Sequence, residues 1–255
     1  MNPLRAIGAG VLTLLHAAGS VTWFALQALV AAVRPPYFAG QLVSQLFRIG
    51  FLSLPVVGLT ALFTGAALAL NIYTGGSRFN AESFVPNIVA LGIVRELGPV
   101  IAALMLAGRV SSGIAAEIGA MRATEQIDAL HTLSTDPMRY LIAPRVVAGV
   151  IVLPILVFIA DVIGVLGGFL VSTNTLDFDA TVYVRNTVDI LERWDVISGL
   201  IKAAVFGFLL TLMGCYHGYH AQGGAQGVGR AATNAVVSAA VLIFAANFLL
   251  TSLFV

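Results

Sequence analysis

The chain has 255 residues, 59% of them hydrophobic and only 10% charged, with a formal net charge of +1. A soluble domain carries about 25% charged residues, so water alone cannot solvate this surface and lipid must cover much of it. The small net charge gives no field for nucleic acid, and the single Cys215 excludes an intrachain disulfide or a thiolate metal cage.

In chain order, Arg5 precedes a run of 28 residues, 6–33, without a formal charge. That is longer than the apolar core of a cleaved signal, about 7–15 residues. Thr13, His16, Ser20 and Gln27 fall on one helical stripe, while Leu12, Leu15, Trp23, Leu26 and Val30 lie largely elsewhere. Such a stripe suits a helix lying in the membrane interface. It equally suits a span whose polar side faces other helices, so the residues themselves leave both readings open.

Five further segments, 51–73, 83–108, 146–176, 196–217 and 231–255, are apolar and long enough to cross a bilayer, which takes about 20 helical residues. Backbone groups in lipid must be satisfied internally, so helices are expected and open strands are not. The fold class is therefore all-α: a polytopic membrane bundle forming one domain over 1–255. Segments 34–48, 109–145 and 218–230 share one side and hold Arg34, Arg48, Arg109, Arg122, Arg139, Arg145 and Arg230. The other side holds Arg78, Arg185, Arg193 and Lys202. The excess of arginine marks the first side as cytoplasmic and puts the C-terminus outside the cytoplasm.

No internal repeat appears, and the paired broken helices of inverted-repeat transporters are missing. The glycine-dense stretch 223–229 lacks the flanking strand and Lys-Ser/Thr ending of a phosphate loop, and reads as a turn. His217 and His220 lack a companion cysteine or carboxylate cluster, so no metal site and no catalytic constellation is expected. Gly164 and Gly168 have the spacing that allows close helix approach, within a bundle or between subunits.

Within the spans, Arg95 and Glu96 stand near the middle of the second segment, or at its outer mouth if the span starts near Leu97; Gly98-Pro99 follows, and Asp161 stands in the third. Intramembrane charges cost at least about 2.5–3.5 kcal/mol on insertion scales and mark cavities or functional sites; Leu97, beside the proline kink, is placed to line such a cavity. Apolar Leu68 and Leu70, with Asn71 and Tyr73 at the end of the first span, are candidate lipid contacts. Residues 109–145 form the most informative wet segment. Ile114, Ile118, Met121, Ile127 and Leu130 recur at helical spacing, with Glu117, Arg122, Glu125 and Asp128 as charged surface. This predicts an amphipathic helix over 111–133, and Asp136-Pro137 then signals a new helix start. A short exposed helix between two spans can dock into a groove on another protein, or simply rest against headgroups.

Three runs, Arg95-Glu-Leu-Gly-Pro99, Leu106-Ala-Gly-Arg109 and Ala116-Glu-Ile-Gly-Ala-Met-Arg-Ala-Thr-Glu-Gln126, together with Asp136-Pro137 and Pro144-Arg145, resemble the MlaE permease family. The resemblance covers roughly residue 40 to the C-terminus. It implies an N-terminal interfacial helix, five transmembrane helices and a cytoplasmic coupling helix. It also implies a homodimer in the bacterial inner membrane, served by a cytoplasmic ABC ATPase, a periplasmic MCE-domain protein and a small STAS-domain subunit, and moving phospholipid or a related lipid. No cofactor is expected, and ATP hydrolysis would belong to the partner. The implied lipid set is Leu68, Leu70, Asn71, Tyr73, Arg95, Glu96 and Leu97; the implied ATPase-coupling set is Glu117, Met121, Arg122, Glu125 and Asp128. The rival readings are a proton-driven secondary transporter using Asp161 and Glu96, and an intramembrane lipid-modifying enzyme, which would need a clustered acid–base set.

Overall fold

The computed structural model describes residues 3–79 and 82–254, and among them there is no strand. Eight helical runs follow one another: α1 (Pro3–Val33), α2 (Ala39–Gly76), α3 (Val85–Ala123), α4 (Gln126–Thr132), α5 (Met138–Thr175), α6 (Ala180–Ile190), α7 (Arg193–Tyr219) and α8 (Gly224–Phe254). Six of them, α1, α2, α3, α5, α7 and α8, are long and apolar enough to cross a membrane by length and composition. All five expected spans are present, each helix reaching past the expected segment at the arginine-bearing end. α3 begins at Val85, so Arg95 and Glu96 lie about three turns inside it and not at its mouth.

The outside of the bundle is apolar. Phe63 and Leu59 on α2, Phe158 and Val162 on α5, and Phe244 and Phe248 on α8 are all exposed. Lipid or another apolar protein face satisfies such a surface, and water does not. Inside, small residues bring backbones together, the expected route when lipid removes the hydrophobic drive between helices. A Cβ built on Gly65 of α2 would lie 1.8 Å from the Gly164 carbonyl of α5, and one on Gly207 of α7 would lie 2.3 Å from that of Gly149. The Gly164–Gly168 spacing is thus spent on α2 packing within the chain. Phe206, Leu210, Leu153 and Leu156 fill the α5–α7 core.

α1 sits on one end of the bundle. Phe24, Ala28 and Ala31, at spacings of four and three, are its buried face. The Phe24 ring meets Tyr216 edge-on at 5.5 Å and lies against Tyr219 and His220, all at the C-terminal end of α7. Ser20 and Tyr216 share a hydroxyl hydrogen bond of 2.8 Å. Two residues past the end of α1 the chain is still at the same end, because Arg139 at the start of α5 donates to the Pro35 carbonyl at 2.8 Å. Gln27 and His16 of the polar stripe are exposed, and the side chain of Thr13 lies outside the described residues.

The stretch 111–133 divides in two. α3 runs without interruption through Ala123, Glu125 takes a left-handed φ of 59°, and α4 starts again at Gln126. Asp136 does cap the next helix: its Oδ1 accepts from the Met138 amide at 3.0 Å, just past Pro137.

Candidate functional site

A proline at position 99 removes the amide that an α-helix would direct at the Arg95 carbonyl. The helix answers with a π turn over Ile93–Leu97, leaving that carbonyl available at membrane depth. Lys202, only 2% exposed and about ten residues into α7, fills the vacancy: its Nζ donates to the Arg95 carbonyl at 2.9 Å and to Glu96 Oε1 at 2.7 Å. Glu96 is then completed from α8, with Thr251 donating to Oε1 and Asn247 to Oε2, each at 2.9 Å. One carboxylate thus ties three helices together, and its charge is met by an ammonium and two neutral donors.

Arg95 points away from that cluster. Its Nε faces Asp195 Oδ1 at 3.3 Å, while Asp195 Oδ2 caps α7 by accepting the Glu192 amide at 2.9 Å. The Arg95 side chain remains 41% exposed, so its guanidinium keeps donors for something else. Arg95, Glu96 and Lys202 line a cavity of about 280 Å³ with Leu91, Thr251 and Phe254, the last residues opening it toward the end of the bundle away from α1. Sequence reasoning missed Lys202, Asp195, Asn247 and Thr251. The available signal was that an intramembrane lysine and an intramembrane glutamate seek each other.

The other expected lipid residues lie on different faces. Leu97 lines a narrow slot between α2 and α3 with Thr60, Thr64 and Ile101, of about 10 Å³ and so wide enough for one water. Leu68 and Tyr73 pack on a small cluster of Ala69, Val85, Val89 and Ile93, with the Tyr73 ring edge-on to Phe178 at 6.1 Å. Leu70 and Asn71 are exposed on the outer face of α2. Within one chain, the structure brings Arg95 and Glu96 together and leaves Leu70 and Asn71 facing outward.

Of the coupling set, Glu117 turns inward. Its Oε2 meets Arg145 at 3.1 Å and its Oε1 meets Arg48 at 3.4 Å, bracing α3 against α5 and α2. Arg145 is 4% exposed and also donates to the Leu141 carbonyl. Met121 is half-buried, Glu125 is exposed at the break, and Arg122 pairs with exposed Asp128 at 2.6 Å across it. That ion pair holds the α3–α4 corner, and the corner presents Glu125 and Asp128 to solvent.

Asp161 is buried in α5 with Oδ1 unpartnered, against Gly98, where a built Cβ would approach that oxygen to 1.8 Å. It therefore stands apart from the Glu96 cluster. His217 shares a 2.8 Å hydrogen bond with Ser238, and among the described residues no three metal-ligating side chains converge.

A family model described as Permease MlaE matches residues 42–253. A probable ABC transporter permease protein of Rickettsia bellii is 52% identical over 254 residues, covering 100% of this chain and 98% of the relative. The intermembrane phospholipid transport system permease protein MlaE of Haemophilus influenzae is 35% identical over 256 residues, covering 99% and 97%. The chloroplastic protein TRIGALACTOSYLDIACYLGLYCEROL 1 of Arabidopsis thaliana is 37% identical over 212 residues, covering 83% of this chain and 61% of the relative.

Proposed function

The chain belongs to the MlaE permease family, and on that premise we propose that it is the membrane permease of an ABC transporter that moves phospholipid, with Arg95 as its headgroup contact. The observation that carries the residue assignment is the split between the two adjacent charges. Glu96 is consumed by Lys202, Thr251 and Asn247, whereas the half-exposed Arg95 guanidinium borders the cavity. A guanidinium fork suits a phosphate. Glu96 acts as a positioning residue that fixes the π turn carrying Arg95.

Tails need an apolar wall, at about 0.8 kcal/mol per buried CH₂. In a homodimer the outward Leu70 and Asn71 of α2, with Leu68 and Tyr73 behind them, would supply that wall together with the partner subunit, and Leu97 would lie at its inner edge. The arginine-rich end is cytoplasmic on this reading. Lys202 lies inside a span, which leaves the opposite side with three loop cations against seven and sharpens the asymmetry. α1 then lies in the cytoplasmic interface of the bacterial inner membrane, and the C-terminus is periplasmic.

Energy enters at the α3–α4 corner. Glu125 and Asp128 dock on a cytoplasmic ATPase, Arg122 keeps the corner in shape, and the Glu117 brace with Met121 passes its motion to α5 and α2. A periplasmic MCE-domain protein, and a STAS-domain subunit beside the ATPase, complete the assembly. Reconstituted with its partners, the Arg95→Gln complex should hydrolyse ATP yet transfer fluorescent phospholipid to an acceptor about tenfold more slowly. Transfer at the wild-type rate would remove Arg95 from the role.

A further inference from the structure

α1 leaves two cavities where it rests on the end of the bundle. The first, about 440 Å³, lies between Trp23, Leu26 and Val30 of α1 and Asp136, Met138 and Arg139 at the start of α5. The second, about 190 Å³, is apolar, with Phe38, Leu42, Pro144 and Val147 in its walls. Ala31 and Arg139 line both, so a largely apolar groove carrying two charged side chains and a second apolar slot meet at one guanidinium.

The charges there balance. Arg139 uses Nε on Asp136 Oδ2 at 3.3 Å and Nη1 on the Pro35 carbonyl at 2.8 Å, and among the described residues its Nη2 has no protein partner. Asp136 is 48% exposed and faces the same groove. Trp23, 64% exposed, presents its ring beside them. A purely anionic ligand would add net negative charge beside the half-exposed Asp136 carboxylate, which already shares Arg139. A free phosphate would leave the apolar slot empty. A molecule with a phosphate, an ammonium and an aliphatic tail satisfies all three walls.

We propose that this is a binding site for one zwitterionic glycerophospholipid of the leaflet in which α1 lies. Its phosphate sits on Arg139 Nη2, its ammonium between Asp136 and the Trp23 ring, and one acyl chain in the Leu42–Val147 slot. The site is at the opposite end of the bundle from the Arg95 cavity and holds a resident lipid rather than cargo. Its consequence is mechanical: among the described side chains of α1 only Phe24, Ala28 and Ala31 are buried against the bundle, and the lipid seals the rest of the joint. The inference rests on the interfacial placement of α1 given above, but not on Arg95.

The test uses the full assembly purified in detergent and incubated with equal amounts of phosphatidylethanolamine and phosphatidylglycerol of matched chains. A photoreactive residue replaces Leu26, and retained lipid is read by native mass spectrometry. Phosphatidylethanolamine should be retained and crosslinked in preference. Arg139→Gln should lower its retention about tenfold. Trp23→Ala, which removes no buried packing, should lower it about threefold. Arg95→Gln should leave the crosslink intact even where transfer fails, which separates this site from the transport reading. Equal retention of both lipids, preference for phosphatidylglycerol, or a crosslink unchanged in both groove variants would overturn the proposal.

Discussion

α3 carries two glutamates about 30 Å apart along its axis, and each is held by cations from other helices, yet the two surroundings differ. At Glu96 the partner lysine is buried, the donors come from α7 and α8, and a cavity opens beside a spare guanidinium. At Glu117 the partners Arg145 and Arg48 belong to α5 and α2, and none of the four cavities described above is lined by the carboxylate. The same residue type on one helix thus builds an open site at membrane depth and a closed brace at its wet end. The difference lies in what remains unspent: Arg95 keeps free donors beside space, whereas Arg145 is enclosed.

That contrast breaks most readily at Lys202. Lys202→Met removes the one cation that touches Glu96 among the described residues and leaves its carboxylate, 38% exposed, with two neutral donors, so a loss of about 3 kcal/mol is expected, the low end for a broken buried pair. Reduced midpoint temperature and expression in detergent would report it. The double variant Lys202→Met, Glu96→Gln should recover much of that loss, because no charge is left uncompensated. If the single and double variants unfold alike, Glu96 and Lys202 are not a coupled pair. Next in size comes the brace. Glu117→Gln strands the enclosed Arg145 guanidinium and should cost about 2–3 kcal/mol. The variant should still co-purify with an ATPase while transfer falls, whereas Glu125→Ala with Asp128→Ala should lose the ATPase without loss of stability. Loss of the ATPase from Glu117→Gln alone would make Glu117 a docking residue after all.

The bundle was largely legible in the sequence because hydropathy is a one-dimensional signal: five apolar segments of sufficient length became five helices. Asp136-Pro137 was legible for a similar reason, since its capping chemistry acts over two residues. Lys202 was not, because its partner lies 106 positions away and its segment read as a span with one charge near its start. Glu117 read as part of a charged surface because helical spacing tells which face a residue takes, not which helix lies against that face. The continuity of α3 through 111–123 hid for a related reason. The polar residues that suggested a separate helix are the far end of one long helix, packed between α7 and α8 with Ile114 and Ile118 buried.

A smaller effect tests whether Asp161 belongs with the open site or with packing. Gly98→Ala places a Cβ where Asp161 Oδ1 stands, an overpacking cost of about 1–3 kcal/mol. Pairing it with Asp161→Ala frees that space, and a double-mutant cycle should return a favourable coupling of about 1 kcal/mol or more. Additive effects would mean that the carboxylate turns aside freely, and that Gly98 serves only the π turn beside it.

The smallest effect is on the half-exposed ion pair. Arg95→Gln gives up a charged contact to the buried Asp195 carboxylate, which keeps the Glu192 amide and can accept from the new side-chain amide, so its stability cost should be about 1 kcal/mol. Thermal unfolding near wild type combined with slow lipid transfer is the result that the comparison requires, because it separates a residue kept for what it offers a ligand from one kept for what it holds together. A large loss of stability in Arg95→Gln would erase the distinction between the two ends of α3 and return Arg95 to the scaffold.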